Sequence, residues 1–299
     1  MTLIVIGGAT ATGKSSLALD VAEEIGAEIV NADSMQLYKG MDIGTAKVPV
    51  AKRRGITHHM LDTLEVSDDA SVADYQLQAR AIIDDVLARG IPVVVVGGTG
   101  LYIKALLDQL NFPDRDEQVR ERLFAEAEAS SAHAMHQRLH SLDPDAAALI
   151  PEQNLRRVIR ALEVIELTGE PYAASLPRDE ESYYPDARQF AIKVEREVLN
   201  ARITERVEQM WADGFVEEVE QLIQVGLPTA RTARAAIGYA QVLAALEGQI
   251  SMANAQEETA ISTRQYARRQ GTWFGRDNRI TWLDTPGKSG LETILASLK

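Results

Sequence analysis

Gly8-Ala9-Thr10-Ala11-Thr12-Gly13-Lys14-Ser15 follows, after Gly7, on the apolar run Leu3-Ile4-Val5-Ile6. A short continuous apolar run that breaks into glycine reads as a strand buried on both faces. Beyond the glycines, Leu17, Ala18, Val21, Ala22 and Ile25 recur at helical spacing, and Gly26 stands where a left-handed terminator belongs. Strand, loop and helix in this order satisfy G-x-x-x-x-G-K-[ST], the phosphate-cradling loop. Its backbone amides converge on phosphate oxygens, the helix N-terminus adds partial positive charge, Lys14 neutralises, and the Ser15 hydroxyl can ligate Mg²⁺. The motif points to a diphosphate-bearing ligand and is silent about which one. The plainer alternative is a glycine turn with no ligand.

The neighbouring segments extend the pattern. Glu28 to Ala32 reads as a second strand ending at Asp33, Ser71 to Ala88 as a helix, and Pro92 to Val96 as a third strand running into Gly97-Gly98. Alternating strands and helices imply a parallel sheet covered on both faces, with ligands at the carboxyl ends of the strands. From Asp114 to about Ser182 the sequence turns helical, charged and alanine-rich. Phe190 to Val194 and Arg279 to Leu283 then read as returning core strands. The expected fold class is α/β, a P-loop parallel sheet flanked by helices with an inserted all-helical domain. Residues 1–113 and 184–299 would form the core domain, and 114–183 the insertion.

Composition narrows the chemistry. With no cysteine, disulfides, thiolate nucleophiles and thiolate metal sites are excluded. No apolar run approaches the length of a membrane span, and Met1 leads straight into a strand, so no membrane association and a cytoplasmic location are expected. A net charge of −13 argues against a general polyanion binder, so a nucleic-acid surface would need locally concentrated arginines. Two concentrations occur: Arg156, Arg157 and Arg160, and Arg264, Arg268, Arg269, Arg276 and Arg279.

A phosphate-hydrolysing enzyme of this fold places an acid after a hydrophobic strand to hold metal-bound water. Here Val93-Val94-Val95-Val96 ends in Gly97-Gly98-Thr99, and Asp33 is the acid at a core strand end near the cradle. Asp33 can cap a helix or support a metal, or it can accept a proton from an incoming nucleophile. Adjacent His58 and His59 lack ligand spacing and read as hydrogen-bonding support for the Asp33 loop rather than as metal ligands. In the segment from Leu155 to Ile165, Leu155, Val158, Ile159, Leu162 and Ile165 form one helical stripe, with Arg156 and Arg160 opposite and Arg157 near its edge. These arginines either pair with Glu163 and Glu166 or face a polyanion. Tyr266 and Trp273 interleave with arginines on another predicted helix, as core residues or as stacking platforms.

An ordered set of blocks resembles the tRNA dimethylallyltransferases, also called tRNA isopentenyltransferases. The set comprises the loop Gly8 to Ser15, Asn31 to Tyr38, Met41 to Lys47, His58 to Asp62, Gly97 to Tyr102, Arg156 to Glu163, Ile237-Gly238-Tyr239 and Tyr266 to Phe274. The resemblance implies a cradle for the diphosphate of dimethylallyl diphosphate, with Mg²⁺ as cofactor and the tRNA anticodon arm as partner. It requires no protein partner. It implies Asp33 and Thr10 as catalytic residues, with Asp33 the general base on an adenine amine. Gly8, Ala9, Thr10, Ala11, Thr12, Gly13, Lys14 and Ser15 would hold the diphosphate, Ser15 also touching the metal. Asp33, Ser34, Met35, Gln36 and Thr99 would line the acceptor pocket. Arg120, Arg156, Arg157, Val158, Ile159, Arg160, Arg264 and Arg268 would lie against tRNA.

Two positions depart from the family pattern. Ala9 stands where the family usually has proline, and Ala235 where it commonly has an arginine assigned to the diphosphate. The nearest arginine, Arg234, is one residue away, a turn of about 100° on a helix. Arg234 is carried as the diphosphate ligand, with Arg202 or Arg206 as substitutes. An adenylate isopentenyltransferase, a small-molecule kinase and a nucleotide-gated RNA binder remain the competing readings.

Overall fold

The computed structural model describes residues 2–110, 112–113, 115–172 and 182–299. It divides into two compact units, Met1–Asp108 with Ser182–Lys299, and Gln109–Glu181.

In chain order the larger unit contributes β1 (Leu3–Gly7), α1 (Lys14–Ile25), β2 (Glu28–Asn31), β3 (His58–His59), α2 (Val72–Ala88), β4 (Val93–Val96) and α3 (Gly100–Leu107). The smaller unit contributes α4 (Glu117–Ala129), α5 (Ala132–Leu142), α6 (Pro144–Leu149) and α7 (Leu155–Thr168). The chain then returns through β5 (Arg188–Ile192), α8 (Arg196–Ala212), α9 (Phe215–Gln224), α10 (Tyr239–Leu246), α11 (Met252–Phe274), β6 (Ile280–Leu283) and α12 (Lys288–Ser297).

The six strands form one parallel sheet in the order β3-β2-β4-β1-β5-β6. Alternation along β1 shows why its run is unbroken. Leu3 and Val5 join Val93, Val95 and the α2 residues Tyr75, Ala79 and Ile83 on one face. Ile4 and Ile6 join Val94 and the α1 residues Leu17, Ala18 and Val21 on the other. With both faces covered, β1 carries no polar side chain. Each fully buried aliphatic side chain here contributes about 1.5–3 kcal/mol.

The sheet is α/β and parallel, as the sequence implies, with one strand that propensity does not reveal. β3 is two residues long and pairs with β2 through Ile29–His58 and Val30–His59. A two-residue edge strand of histidines carries no apolar alternation. Its histidines also correct an expectation, because they do not support the Asp33 loop. His59 Nε2 meets Glu28 Oε2 at 2.6 Å, and His58 Nδ1 lies 2.8 Å from Ile56 O. The loop is held by Asn31 instead, whose Nδ2 donates to Asp33 O and Met60 O, both at 2.9 Å, while its Oδ1 accepts from Asp33 N at 3.1 Å.

Among its described residues the smaller unit has four helices and no strand. Its core joins Leu123, Met135, Leu139, Ala146 and Ile150 to Val158, Ile159 and Leu162 of α7. No helix among the described residues is long and apolar enough to cross a membrane.

Candidate active site

The phosphate loop lies between the end of β1 and the start of α1. Gly13 caps α1 at φ 94°, a left-handed conformation that favours glycine. The loop also closes on itself, with Ala9 O accepting from Thr12 Oγ1 at 2.9 Å and from Lys14 Nζ at 2.6 Å. Thr10 is held from two directions. Its backbone N–H donates to Gln270 Oε1 and its hydroxyl oxygen accepts from Arg206 Nη1, both at 2.9 Å.

A cleft of about 1110 Å³ opens over this loop. Its walls include Thr10, Ala11, Gly13, Lys14 and Ser15 from the cradle, Asp33 and Gln36 from the end of β2, and Gly97 and Gly98 from the end of β4. Arg202, Arg206 and Met210 of α8 complete it on another side. Three parallel strands thus deliver their carboxyl-end loops to one cavity. Burial lowers the Lys14 ammonium to about 8; nearby Asp33 opposes the shift and Arg206 adds to it. Burial likewise lowers Arg206, again opposed by Asp33. The acid at β2 and the two cations at the cradle therefore share one electrostatic environment.

Asp33 performs the capping role and keeps an oxygen free of it. Oδ1 accepts from Met35 N at 3.0 Å, capping the short 3-10 turn Ser34–Leu37. Oδ2 accepts no hydrogen bond among the described residues, in a carboxylate that lines the cleft. Beside it, Thr99 Oγ1 accepts from Ser34 N at 3.1 Å, joining the ends of β2 and β4. Tyr266 approaches Thr99 and Gln270, and burial, with Asp33 reinforcing it, pushes its phenol up to about 12, so it stays a protonated donor. The segment Asp42–Lys47 supplies a further part of the wall. It is fixed by the Glu218 carboxylate, which accepts from Asp42 N, Ile43 N and Gly44 N at 3.0, 2.7 and 3.2 Å and from the Tyr239 hydroxyl at 2.6 Å.

Ser15 opens α1 on the cleft wall, where its hydroxyl can join ligand oxygens around a cation. Mg²⁺ keeps several waters and needs few protein donors, so this set fits a metal carried in on a diphosphate. Among the described residues no cluster of three His, Asp or Glu could hold an ion alone.

Several expected residues fall elsewhere. Arg234 is not on the cleft wall. It projects from the short turn Ala233–Ala235, donates Nη1 to Pro228 O at 2.8 Å and lies 3.8 Å from Glu247. Ala233 is the buried position of that turn, and the Arg234 side chain is half exposed. Arg206, held in the sequence reading as a substitute, stands at the cradle instead. Val158 and Ile159 have 0% exposure in the smaller unit's core, so neither side chain can touch a nucleic acid. Arg160 is tied down as well, with Nη2 donating to Pro113 O at 2.7 Å and Nη1 3.0 Å from the buried Glu163. Arg156 and Arg157 are exposed, and Arg120 lies 6.0 Å from the Phe124 ring centroid. On α11, Arg264 donates to Thr204 Oγ1 at 2.9 Å, while Arg268 shares a shallow basic depression with Arg269, Trp273 and Arg276. Met35 packs against the core cluster containing Tyr38 and Tyr239.

Gln270 and Glu218 were not assigned to the site from sequence, and Tyr266 was read there only as a core residue or a stacking platform. Gln270 carried one signal: it lies with Ala267 and Phe274 on the buried stripe of α11, a polar residue at a core position.

Comparison with known proteins identifies the family. The family model described as IPP transferase matches residues 36–277. A tRNA dimethylallyltransferase of a Nocardioides species is 52% identical over 289 residues, covering 95% of this chain and 92% of the relative. That of Mycobacteroides abscessus is 51% identical, covering 98% and 96%. The full-length tRNA isopentenylpyrophosphate transferase of Bacillus halodurans superposes with a TM-score of 0.73 at 36% identity, covering 99% of this chain and 95% of that one. A eukaryotic dimethylallyltransferase acting on tRNA superposes at 0.80 with 26% identity, covering 99% and 77%. With the family model spanning most of its length and relatives above half identity, the chain belongs to the IPP transferase family.

Proposed function

We propose that this chain transfers a dimethylallyl group from dimethylallyl diphosphate to the exocyclic N6 amine of the adenosine immediately 3′ of the tRNA anticodon, releasing diphosphate. One observation carries the reading: a phosphate cradle and a carboxylate with an uncommitted oxygen open onto the same cleft.

In the reaction the carbon–oxygen bond to the diphosphate breaks, and its electron pair leaves on the diphosphate oxygen. The loop amides, Lys14 and Arg206 hold fixed positive charge where that negative charge develops. Mg²⁺, when bound beside Ser15, supplies further Lewis-acid stabilisation of the leaving group. The adenine nitrogen forms the new bond to carbon, and Asp33 Oδ2 takes the proton that the amine must lose. A carboxylate in this role is worth about 10² to 10⁴ in rate. Thr10, fixed by Gln270 and Arg206, keeps the cradle in register, while Ser34, Gln36 and Thr99 frame the acceptor base. The base leaves its stack to enter the cleft, which an already single-stranded anticodon loop makes inexpensive.

The exposed Arg156 and Arg157 of the helical unit, with Arg120, and Arg268 of α11 are the phosphate-facing cations in this reading. Arg206 replaces Arg234 as the arginine on the diphosphate. A tRNA substrate supports a cytoplasmic location, and the reading includes no protein partner.

Purified protein with Mg²⁺, labelled dimethylallyl diphosphate and undermodified tRNA should put label into tRNA. Asp33→Ala should lower turnover by about 10² to 10⁴ while tRNA binding persists. Label found only in AMP, or phosphate moved from ATP, would overturn the assignment.

A further inference from the structure

Gln270 is one of the few polar residues in the buried stripe of α11, at 4% exposure. Its side chain joins two loops that are far apart in sequence. Oε1 accepts from Thr10 N at 2.9 Å and Nε2 donates to Gly98 O at 2.8 Å. Flipping the amide would set a donor against the Thr10 N–H and an acceptor against the Gly98 carbonyl, so only one orientation satisfies both. Gly98 is shaped to receive it, since a Cβ there would fall on Gln270 Nε2. The next residue, Thr99, accepts from Ser34 N, which adjoins Asp33. A connected path therefore runs from the phosphate loop through Gln270 to the end of β4 and on to the Asp33 turn.

We infer that Gln270 is a positioning residue that fixes the Thr10 amide, and with it the diphosphate-binding loop, relative to the acceptor side of the cleft. The inference rests on the function proposed above. A loop amide committed to Gln270 leaves Thr10 little freedom to lose on ligand binding, so less of the binding energy is spent on ordering it. The sequence explains why the loop needs this support. Ala9 leaves the backbone next to Thr10 free to rotate where a proline would restrict it. The side-chain clamp adds from outside the loop to the restraint that the loop's own hydrogen bonds supply within it.

The test compares the KM for dimethylallyl diphosphate with the affinity for tRNA. Gln270→Met, close in size but without either hydrogen bond, should raise that KM about tenfold and leave the tRNA Kd within about twofold. Gln270→Glu keeps an acceptor for Thr10 N–H but sets a carboxylate oxygen against the Gly98 carbonyl and adds negative charge beside the cradle, so it should raise that KM by at least about tenfold. Gly98→Ala pushes the amide aside from the opposite end and should match Gln270→Met, with the double variant no worse than either single one. A general folding defect lowers the active fraction and leaves KM in place. An unchanged KM in Gln270→Met, or single effects that multiply in the double variant, overturns the inference. If Gln270→Met does not fold, Gln270→Glu carries the same test, and an unchanged KM again overturns it. Failure of the wild type to label tRNA refutes the proposed reaction separately. In that event the calorimetric affinity for inorganic diphosphate still decides the role of Gln270, with an unchanged affinity in the variants overturning it.

Discussion

The phosphate loop and the arginine block of α7 are both contiguous runs that the sequence marks for ligand contact, yet they differ in how many of their residues can make one. In the loop a ligand would be met largely by backbone groups, so close neighbours can share it: Thr10, Ala11, Gly13, Lys14 and Ser15 all line the cleft. On α7 each step rotates the side chain by about 100°, so five successive residues must divide between surface and core. Arg156 and Arg157 are exposed, Val158 and Ile159 are buried, and Arg160 is held by Pro113 O and Glu163. A contiguous motif therefore names ligand contacts residue by residue only where the backbone is the ligand-binding group.

The sharpest test of this contrast lies within α7. Ile159→Ala should destabilise the protein by about 2–5 kcal/mol, read as a shift in the denaturation midpoint. Arg156→Ala and Arg157→Ala should leave that midpoint in place. Each should instead reduce the salt dependence of tRNA binding by about one phosphate contact, measured by titrating affinity against salt. If either arginine variant unfolds more easily, or Ile159→Ala acts only on RNA affinity, the division of faces is wrong.

A second comparison sets Arg206 against Arg234. Removing a charged hydrogen-bonding group from the cleft costs about 1.5–3 kcal/mol, so Arg206→Ala should raise the KM for dimethylallyl diphosphate by about ten- to a hundredfold. Arg234→Ala, removing a side chain turned toward Pro228 O, should leave it within about twofold. Equal effects would restore Arg234 to the diphosphate site.

The smallest expected effect is one of pH. Burial holds free Lys14 at about 8, and a bound diphosphate favours its ammonium form. Donor affinity should therefore be level below about pH 8 and fall by up to about tenfold per unit above it, as binding comes to require proton uptake. The free protein should do the opposite. Its lysine sheds a proton at lower pH than the unfolded chain does, so Lys14 makes stability rise between about 8 and the unfolded value of 10.5. Lys14→Ala should flatten both profiles; a profile unchanged in that variant assigns the dependence to another group.

The centre of the sheet was legible because β1 and β4 are covered on both faces and leave unbroken apolar runs, as at Val93–Val96. The cradle was legible because its chemistry is local. The two-residue β3 was not, since neither of its histidines carries a burial pattern. Arg206 could be named only as one candidate among others, because α8 reaches the cleft through tertiary packing rather than proximity in sequence. Gln270 was missed for the related reason that its partners lie 260 and 172 residues away. The Asp33 turn was legible as an acid at a strand end, while its support by Asn31 rather than by the histidines was not.

Glu218 offers a consequence of another kind. Three successive peptide N–H groups aimed at one point form a natural receptor for oxyanions. At Asp42, Ile43 and Gly44 that receptor is filled by a carboxylate belonging to the chain itself. On the function proposed above, an enzyme that admits a diphosphate and a phosphodiester backbone thus carries a plugged decoy in its wall, and the incoming diphosphate is left to the cradle.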